Sequence, residues 1–374
     1  MKNVKFKLKQ FGLYTTIIVA TLVAAESIAR IIDWKPQTFD GSAGDGLGPL
    51  RYYHSPTGLG DLVPNQNGLW VIWFHRPYNV QTDSVGFRDI EEPDNKLFQI
   101  LAVGDSQTFG PYLANEDTWP AWTQVYLGQY YDSKEPRVRV FNAGIAGYTI
   151  LDELSYFREK GIKLKPRLVV LAAFENDIDD LRKEKNGVVQ RPRDDARSRA
   201  FIRLKALVRS SALFSVAQQI RTHIELAAAG VDILRGESNV SRPNQIADNK
   251  AQFVERYQAL FRETVSLLKA HQIPLAVVFI PAVDDVARHA PSEVEPVVRD
   301  LTTETNTPYL DLTPTLRNQP DAPERLYLVQ KINNTFIGNG HLSREGHAVI
   351  ARAVADWLVA NKLVPPNPSN LNSK

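Results

Sequence analysis

Four short apolar runs, separated by stretches of helical patterning, limit how this chain can fold. They are residues 98–103 (FQILAV), 138–141 (VRVF), 168–174 (LVVLAAF) and 275–280 (LAVVFI), with a weaker fifth at 308–311. Runs this short and this continuously apolar suit strands buried on both faces. Helical patterns lie between and after them, at about 117–130, 150–161, 250–271 and 345–361. Strands alternating with helices predict an α/β fold: a three-layer α/β/α sandwich around a mainly parallel sheet.

Two segments break the rhythm. Residues 183–249 open with a charged stretch, continue through a mainly helical run at about 200–230, and end in a polar segment with Asn239, Ser241, Pro243 and Asn244. This reads as a helical insertion, a lid or a partner surface. Residues 35–95 are rich in Gly, Pro, Tyr and Trp, with strand-like composition at 68–75 (GLWVIWFH). They read as a linker and a small β-containing extension. The expected organisation is thus residues 1–34, 35–95, a main domain over 96–365, and a Pro/Asn/Ser-rich disordered tail over 366–374.

The N-terminus predicts export. Lys2, Lys5, Lys7 and Lys9 precede an uncharged, mostly apolar segment at 11–25, and the apolar character runs on to Ile32 past Glu26 and Arg30. A membrane helix needs about 20 residues. The lysines place the N-terminus in the cytoplasm and the body outside. Val23-Ala24-Ala25 also resembles a signal-peptidase site, so a cleaved signal peptide competes with a single-pass inner-membrane anchor. Either way the body lies in the periplasm or outside the cell.

Composition narrows the chemistry. The chain has 44 basic and 42 acidic side chains. Setting aside the four N-terminal lysines leaves a slightly acidic body, which argues against a nucleic-acid partner. There is no cysteine, which excludes disulfides, thiol catalysis, zinc–thiolate sites and a lipoprotein anchor. No phosphate loop or dinucleotide fingerprint is present, and no cofactor is expected.

Ligands of α/β sheets bind at the carboxyl ends of strands. The first run is followed by Gly104-Asp105-Ser106-Gln-Thr-Phe-Gly110, the second by Asn142-Ala-Gly-Ile-Ala-Gly147, the third by Glu175-Asn176-Asp177. Near the C-terminus stands Gly338-Asn339-Gly340-His341-Leu-Ser-Arg-Glu-Gly-His347. Taken singly, each has a bland explanation: Ser106 as an N-cap, Gly147 as a turn, Asn176 as a helix cap, His341 as a loop histidine. His347, one turn into the last helix, reads as structural, and Asp105 as a buried loop organiser. A metal site at His341 and His347 fits by spacing but lacks acidic ligands beyond Glu345, so none is expected.

Taken together and in order, these four segments resemble the four blocks of the SGNH, or GDSL, hydrolases over about residues 98–361. The first resembles the Gly-Asp-Ser block, the second the block supplying a glycine, the third the block supplying an asparagine, and the fourth the histidine block. The N-terminal segment and Ser84-Val-Gly-Phe-Arg88 are also similar to membrane-anchored members found with bacterial surface-polysaccharide genes. The resemblance implies Ser106 as nucleophile and His341 as general base. It implies an oxyanion hole from the Ser106 N–H, the Gly147 N–H and the Asn176 amide, with Gly147 expected for close backbone approach.

One position departs from the family. Its members usually carry Asp three residues before the catalytic histidine, where this chain has Gly338. Losing such an acid can cost about 10⁴ in turnover. The site then runs as a dyad, or Asn339 orients the ring, or an acid such as Asp311 or Glu175 folds in. A slow or inactive binding domain is the fourth possibility. The resemblance implies removal of an acyl group, often acetyl, from an acylated carbohydrate or lipid-linked glycan. An O-acyltransferase using the same site and a scaffold module among polysaccharide-assembly proteins stay open beside it. Trp70, Trp73, Phe74 and Tyr78 offer stacking faces for sugar rings, although core packing is the better explanation of these aromatics.

Overall fold

The structure is a computed structural model that describes residues 2–31, 51–52, 61–62, 64–65, 67–70, 78–89, 96–131, 137–186, 211, 213, 231–232, 237–238, 250–288, 291–332 and 335–367. Its centre is a five-stranded, wholly parallel sheet. The strands are β1 (Phe98–Gly104), β2 (Val138–Gly144), β3 (Leu168–Phe174), β4 (Leu275–Ile280) and β5 (Tyr309–Asp311), in the spatial order β2-β1-β3-β4-β5. The order reverses at β1, between β2 and β3, where doubly wound sheets open a ligand crevice. The register aligns the strand ends there, because Gly104 pairs with both Gly144 and Ala172.

Alternation along each strand divides the core in two. Leu101 and Val103 of β1, Val169 and Leu171 of β3, and Val277 and Phe279 of β4 face one side. There they meet α4 (Ile150–Glu159), α5 (Asp177–Asn186), α6 (Lys250–Ala270) and α8 (Glu295–Thr305), with Phe157, Ile178, Tyr257, Phe261 and Val298 buried between. Ile100, Ala102, Val170, Val278 and Ile280 face the other side. They pack under α3 (Trp119–Tyr131) and the C-terminal α11 (Arg344–Ala360). This is the expected α/β/α sandwich. Helix α4 starts where it does because Thr149 and Asp152 form a reciprocal capping box.

Leu62, Val80 and Phe87 belong to the first core cluster, and Lys160 of the main domain pairs with the buried Asp61 at 2.7 Å. In the strand-like 68–75 segment, residues 67–70 form a strand that pairs antiparallel with Tyr78–Gln81; residues 71–77 lie outside the described residues. Most of the helical run expected at 200–230 and of the tail expected over 366–374 also lies outside them, but Asn367 of that tail is buried and its amide donates to the Tyr130 carbonyl at 2.6 Å.

Helix α1 (Lys2–Ile31) is continuous. Its Gly12–Arg30 portion is long and apolar enough to cross a membrane, a property that a signal sequence shares. Its C-terminal end is not bare: Glu26 pairs with Arg30 and accepts hydrogen bonds from Ser211 Oγ at 2.8 Å and the Leu213 N–H at 3.0 Å.

Among the elements not anticipated are α8, the short helices α7 (Val283–Arg288), α9 (Thr313–Arg317) and α10 (Ala322–Leu326), and an antiparallel hairpin, β6 (Tyr327–Ile332) and β7 (Thr335–Leu342), which delivers the chain to α11.

Candidate active site

Ser106 follows β1 directly and opens the one-turn helix α2 (Ser106–Phe109). Of residues 101–110 it alone is not fully buried. Asp105 caps the turn, its carboxylate accepting the Gln107 N–H at 2.8 Å and lying 3.4 Å from Ser106 Oγ. Burial pushes the Asp105 carboxyl up to about 6, against hydrogen bonds from Gln107 and Ser106 and with the help of Asp180. Arg88 braces the exit of α2. Its guanidinium, 2 % exposed, donates to the carbonyls of Phe109, Gly110 and Leu113 and lies 4.5 Å over the Phe109 ring.

His341 reaches Ser106 from the hairpin. Its Nε2 lies 2.9 Å from Ser106 Oγ, within proton-transfer distance. The hairpin register explains how a strand residue turns inward. Tyr327 pairs with Leu342 and Val329 with Gly338, so residues 339–341 bulge opposite Leu328 alone. Bulges re-aim side chains, and Gly340 at φ +73° supplies the left-handed step just before the histidine. Tyr112, itself at φ +72°, packs edge-on to the imidazole with ring centroids 5.7 Å apart. Ser343, directly after Leu342, caps α11 through the Gly346 N–H.

Gly147 and Asn176 stand at the ends of the two flanking strands. Gly147 is exposed at φ +79°, and its N–H has no acceptor among the described residues. Among protein atoms a Cβ at 147 would meet nothing within 4 Å, whereas one at Gly144 would lie 2.3 Å from the Phe109 nitrogen. Gly147 is thus open on its Cβ side and answers to its backbone angle, while Gly144 is held by close packing inside the protein. Asn176 Nδ2 donates to Asp180 at 2.9 Å, which leaves its second hydrogen.

The alternative histidine partners are placed as follows. Asp311 ends β5, three strands from β1, and its carboxylate accepts the Thr313 N–H at 2.8 Å. Glu175 is bonded by Ser292 Oγ and, at 3.1 Å, by the Glu293 N–H, tying the β3 loop to the start of α8. The structure therefore puts both carboxylates to work as loop ties. The Asn339 side chain lies outside the described ones. His347 is fully buried, its Nδ1 accepting the Trp119 N–H at 2.9 Å. Burial, then Arg88 and His341, hold it down to about 3, so the ring is a neutral strut between α11 and α3. Among the described residues no group of three His, Cys, Asp or Glu side chains could hold a metal ion.

Sequence reasoning missed Gln107, Tyr112 and Asp180, and noted Arg88 only within a resembling segment. The signal for Asp180 was its place four residues after Asn176 on one helical face. The others act across long sequence separations.

A parallel sheet with a Ser–His pair at its carboxyl edge is the arrangement of α/β serine hydrolases. Residues 102–349, well over half of the chain, match the GDSL-like Lipase/Acylhydrolase family, and the chain belongs to it, among hydrolases of ester bonds. No curated protein matches at a significant level. Among solved structures the chain is similar to Axe2, an acetylxylan esterase from Geobacillus stearothermophilus, at 17% identity and TM-score 0.40, over 70% of this chain and 93% of that one. It is also similar to LAE5, an alpha/beta hydrolase enzyme from the metagenome of Lake Arreo, Spain, at 14% identity and TM-score 0.41, over 69% and 94%. Likenesses this distant carry nothing about substrate.

Proposed function

We propose that the chain is a membrane-tethered serine esterase that removes an acyl group, of acetyl size, from a cell-envelope or exopolysaccharide carbohydrate. The observation that carries this reading is the 2.9 Å contact between Ser106 Oγ and His341 Nε2 at the carboxyl edge of the sheet. In the proposed reaction Ser106 Oγ attacks the ester carbonyl carbon and its proton passes to Nε2. The negative oxygen is received by the Ser106 and Gly147 N–H groups and the Asn176 amide. The ester C–O bond then breaks, and Nε2 returns the proton to the leaving sugar hydroxyl. Water attacks the acyl-serine next, gives one proton to Nε2, and releases the carboxylic acid as Ser106 recovers its proton. The basic N-terminus and apolar α1 support an outward-facing domain held at the inner membrane.

The test uses the full chain in detergent micelles. Wild type is expected to hydrolyse p-nitrophenyl acetate and to release acetate from acetylated polysaccharide, and Ser106→Ala and His341→Ala to lose at least about 10³ of kcat. Undiminished activity in folded Ser106→Ala overturns the reading. An acyl-serine seen by mass spectrometry without hydrolysis means that a hydroxyl other than water's is the acceptor. Neither hydrolysis nor acyl-serine leaves a binding module.

A further inference from the structure

We propose that Gln107 is the positioning residue for His341: its side-chain amide grips the backbone on both sides of the histidine and holds the imidazole on Ser106. This rests on reading Ser106 and His341 as the reactive pair. Nε2 of Gln107 donates to the Gly340 carbonyl at 3.4 Å, and Oε1 accepts the Leu342 N–H at 3.3 Å. A carbonyl and the N–H two residues on point the same way from a strand, and a parallel neighbour takes both with the N–H and C=O of a single residue. The Gln107 amide stands in for that residue.

The strand needs such a substitute here. The bulge sets three residues of β7, 339–341, against Leu328 alone, so β6 does not hold this stretch residue by residue. Gly340, at φ +73°, is also the most easily deformed point of the segment. Gln107 itself is 2 % exposed, in a turn fixed by the Asp105 cap and the Arg88 brace. It is also the chain neighbour of Ser106. One side chain therefore ties the element bearing the nucleophile to the element bearing the base. Where the family resemblance expects an acid to orient the ring, Gly338 stands in the β7 ladder opposite Val329, and Gln107 holds the histidine through its main chain instead.

Both bonds are long, so the role is geometric, and a displacement of about 1 Å at a reacting group can cost about 10²-fold in rate. Gln107→Leu removes both bonds. Gln107→Glu keeps an acceptor for Leu342 but cannot donate to Gly340 when ionised, and it serves if the leucine variant does not fold. In the full chain in detergent micelles, labelled with ¹³C-histidine, the Cε1–Hε1 resonance of His341 is identified by its loss in His341→Ala. That resonance is expected to be single in wild type, and shifted and broadened or doubled in either Gln107 variant. On p-nitrophenyl acetate kcat is expected to fall about 10- to 100-fold with KM within about twofold. An unmoved His341 resonance in the folded variants overturns the positioning role, whether or not the protein is an esterase. A resonance that responds to Gln107 in a protein without hydrolysis keeps the positioning role and sinks the esterase reading.

Discussion

Asn176 has two amide hydrogens, and the fold commits one of them. One is directed at the Asp180 carboxylate, four residues along α5, at 2.9 Å. Asp180 needs a donor, so the nitrogen and not the oxygen must face it, which fixes the amide orientation. The buried Oδ1 then has no partner among the described residues, a state the fold tolerates only at a cost of about 1–3 kcal/mol. Such a cost is typical where orientation matters more than stability. The second hydrogen is the one that the proposed oxyanion hole would use. Replacing Asn176 with Ala should lower kcat by about 10²- to 10³-fold with little change in KM, the effect of removing one oxyanion donor. Asp180→Ala should give a smaller kcat loss, because the amide survives but rotates. Steady-state kinetics of both variants decide this; full activity in Asn176→Ala would exclude the amide from the oxyanion hole.

The strands were legible because burial on both faces demands uninterrupted apolar runs, and β3 and β4 match theirs residue for residue. Strand ends in turn marked Ser106 and the loops carrying Gly147 and Asn176. The hairpin was not legible. Residues 327–342 mix Tyr, Gln, Lys, Asn and Gly, and no run there is apolar enough to read as a buried strand. His341 was thus found by its local motif while the element that carries it was not. Arg88 was opaque for a related reason. A lone arginine in sequence reads as a solvated charge, and only the fold brings three backbone carbonyls around it. The segment from α2 into α3 depends on those bonds. Arg88→Met keeps the stem's packing but leaves the Phe109, Gly110 and Leu113 carbonyls without this donor, a loss of about 3 kcal/mol or more. The expected result is a melting temperature several degrees lower with a loosened serine turn, read by thermal unfolding beside the esterase assay. An unchanged melting temperature would mean that water replaces the guanidinium freely.

Across the whole molecule, the ground beneath the serine is acidic and dry. Burial raises Glu153 well above its ordinary value, with Asp105 and Asp152 adding to it. Burial likewise raises Asp177, with Glu153 and Asp105 adding. Asp177 accepts the Phe174 N–H, which opposes that rise, and is hydrogen-bonded to the Tyr257 hydroxyl. A carboxyl whose folded pKa is raised keeps its proton where the unfolded chain has already lost it. Its contribution is complete below about pH 4 and is lost as pH rises, through about 6 for Asp105 and onward for Glu153 and Asp177. His347 has the opposite sign. Depressed to about 3 in the fold, it contributes fully above its ordinary 6.5 and loses that contribution as pH falls towards 3. The two trends oppose each other in mild acid, and above about pH 6.5 only the acids still act. The apparent melting temperature of the full chain should therefore fall as pH rises above about 6.5. Glu153→Gln, an isostere of the protonated acid, should flatten that fall while leaving the value near pH 5 almost unchanged, since the amide demands no ionisation. A variant that melts with the wild-type slope across this range would show that Glu153 does not carry the proton, and would move the alkaline instability to Asp177.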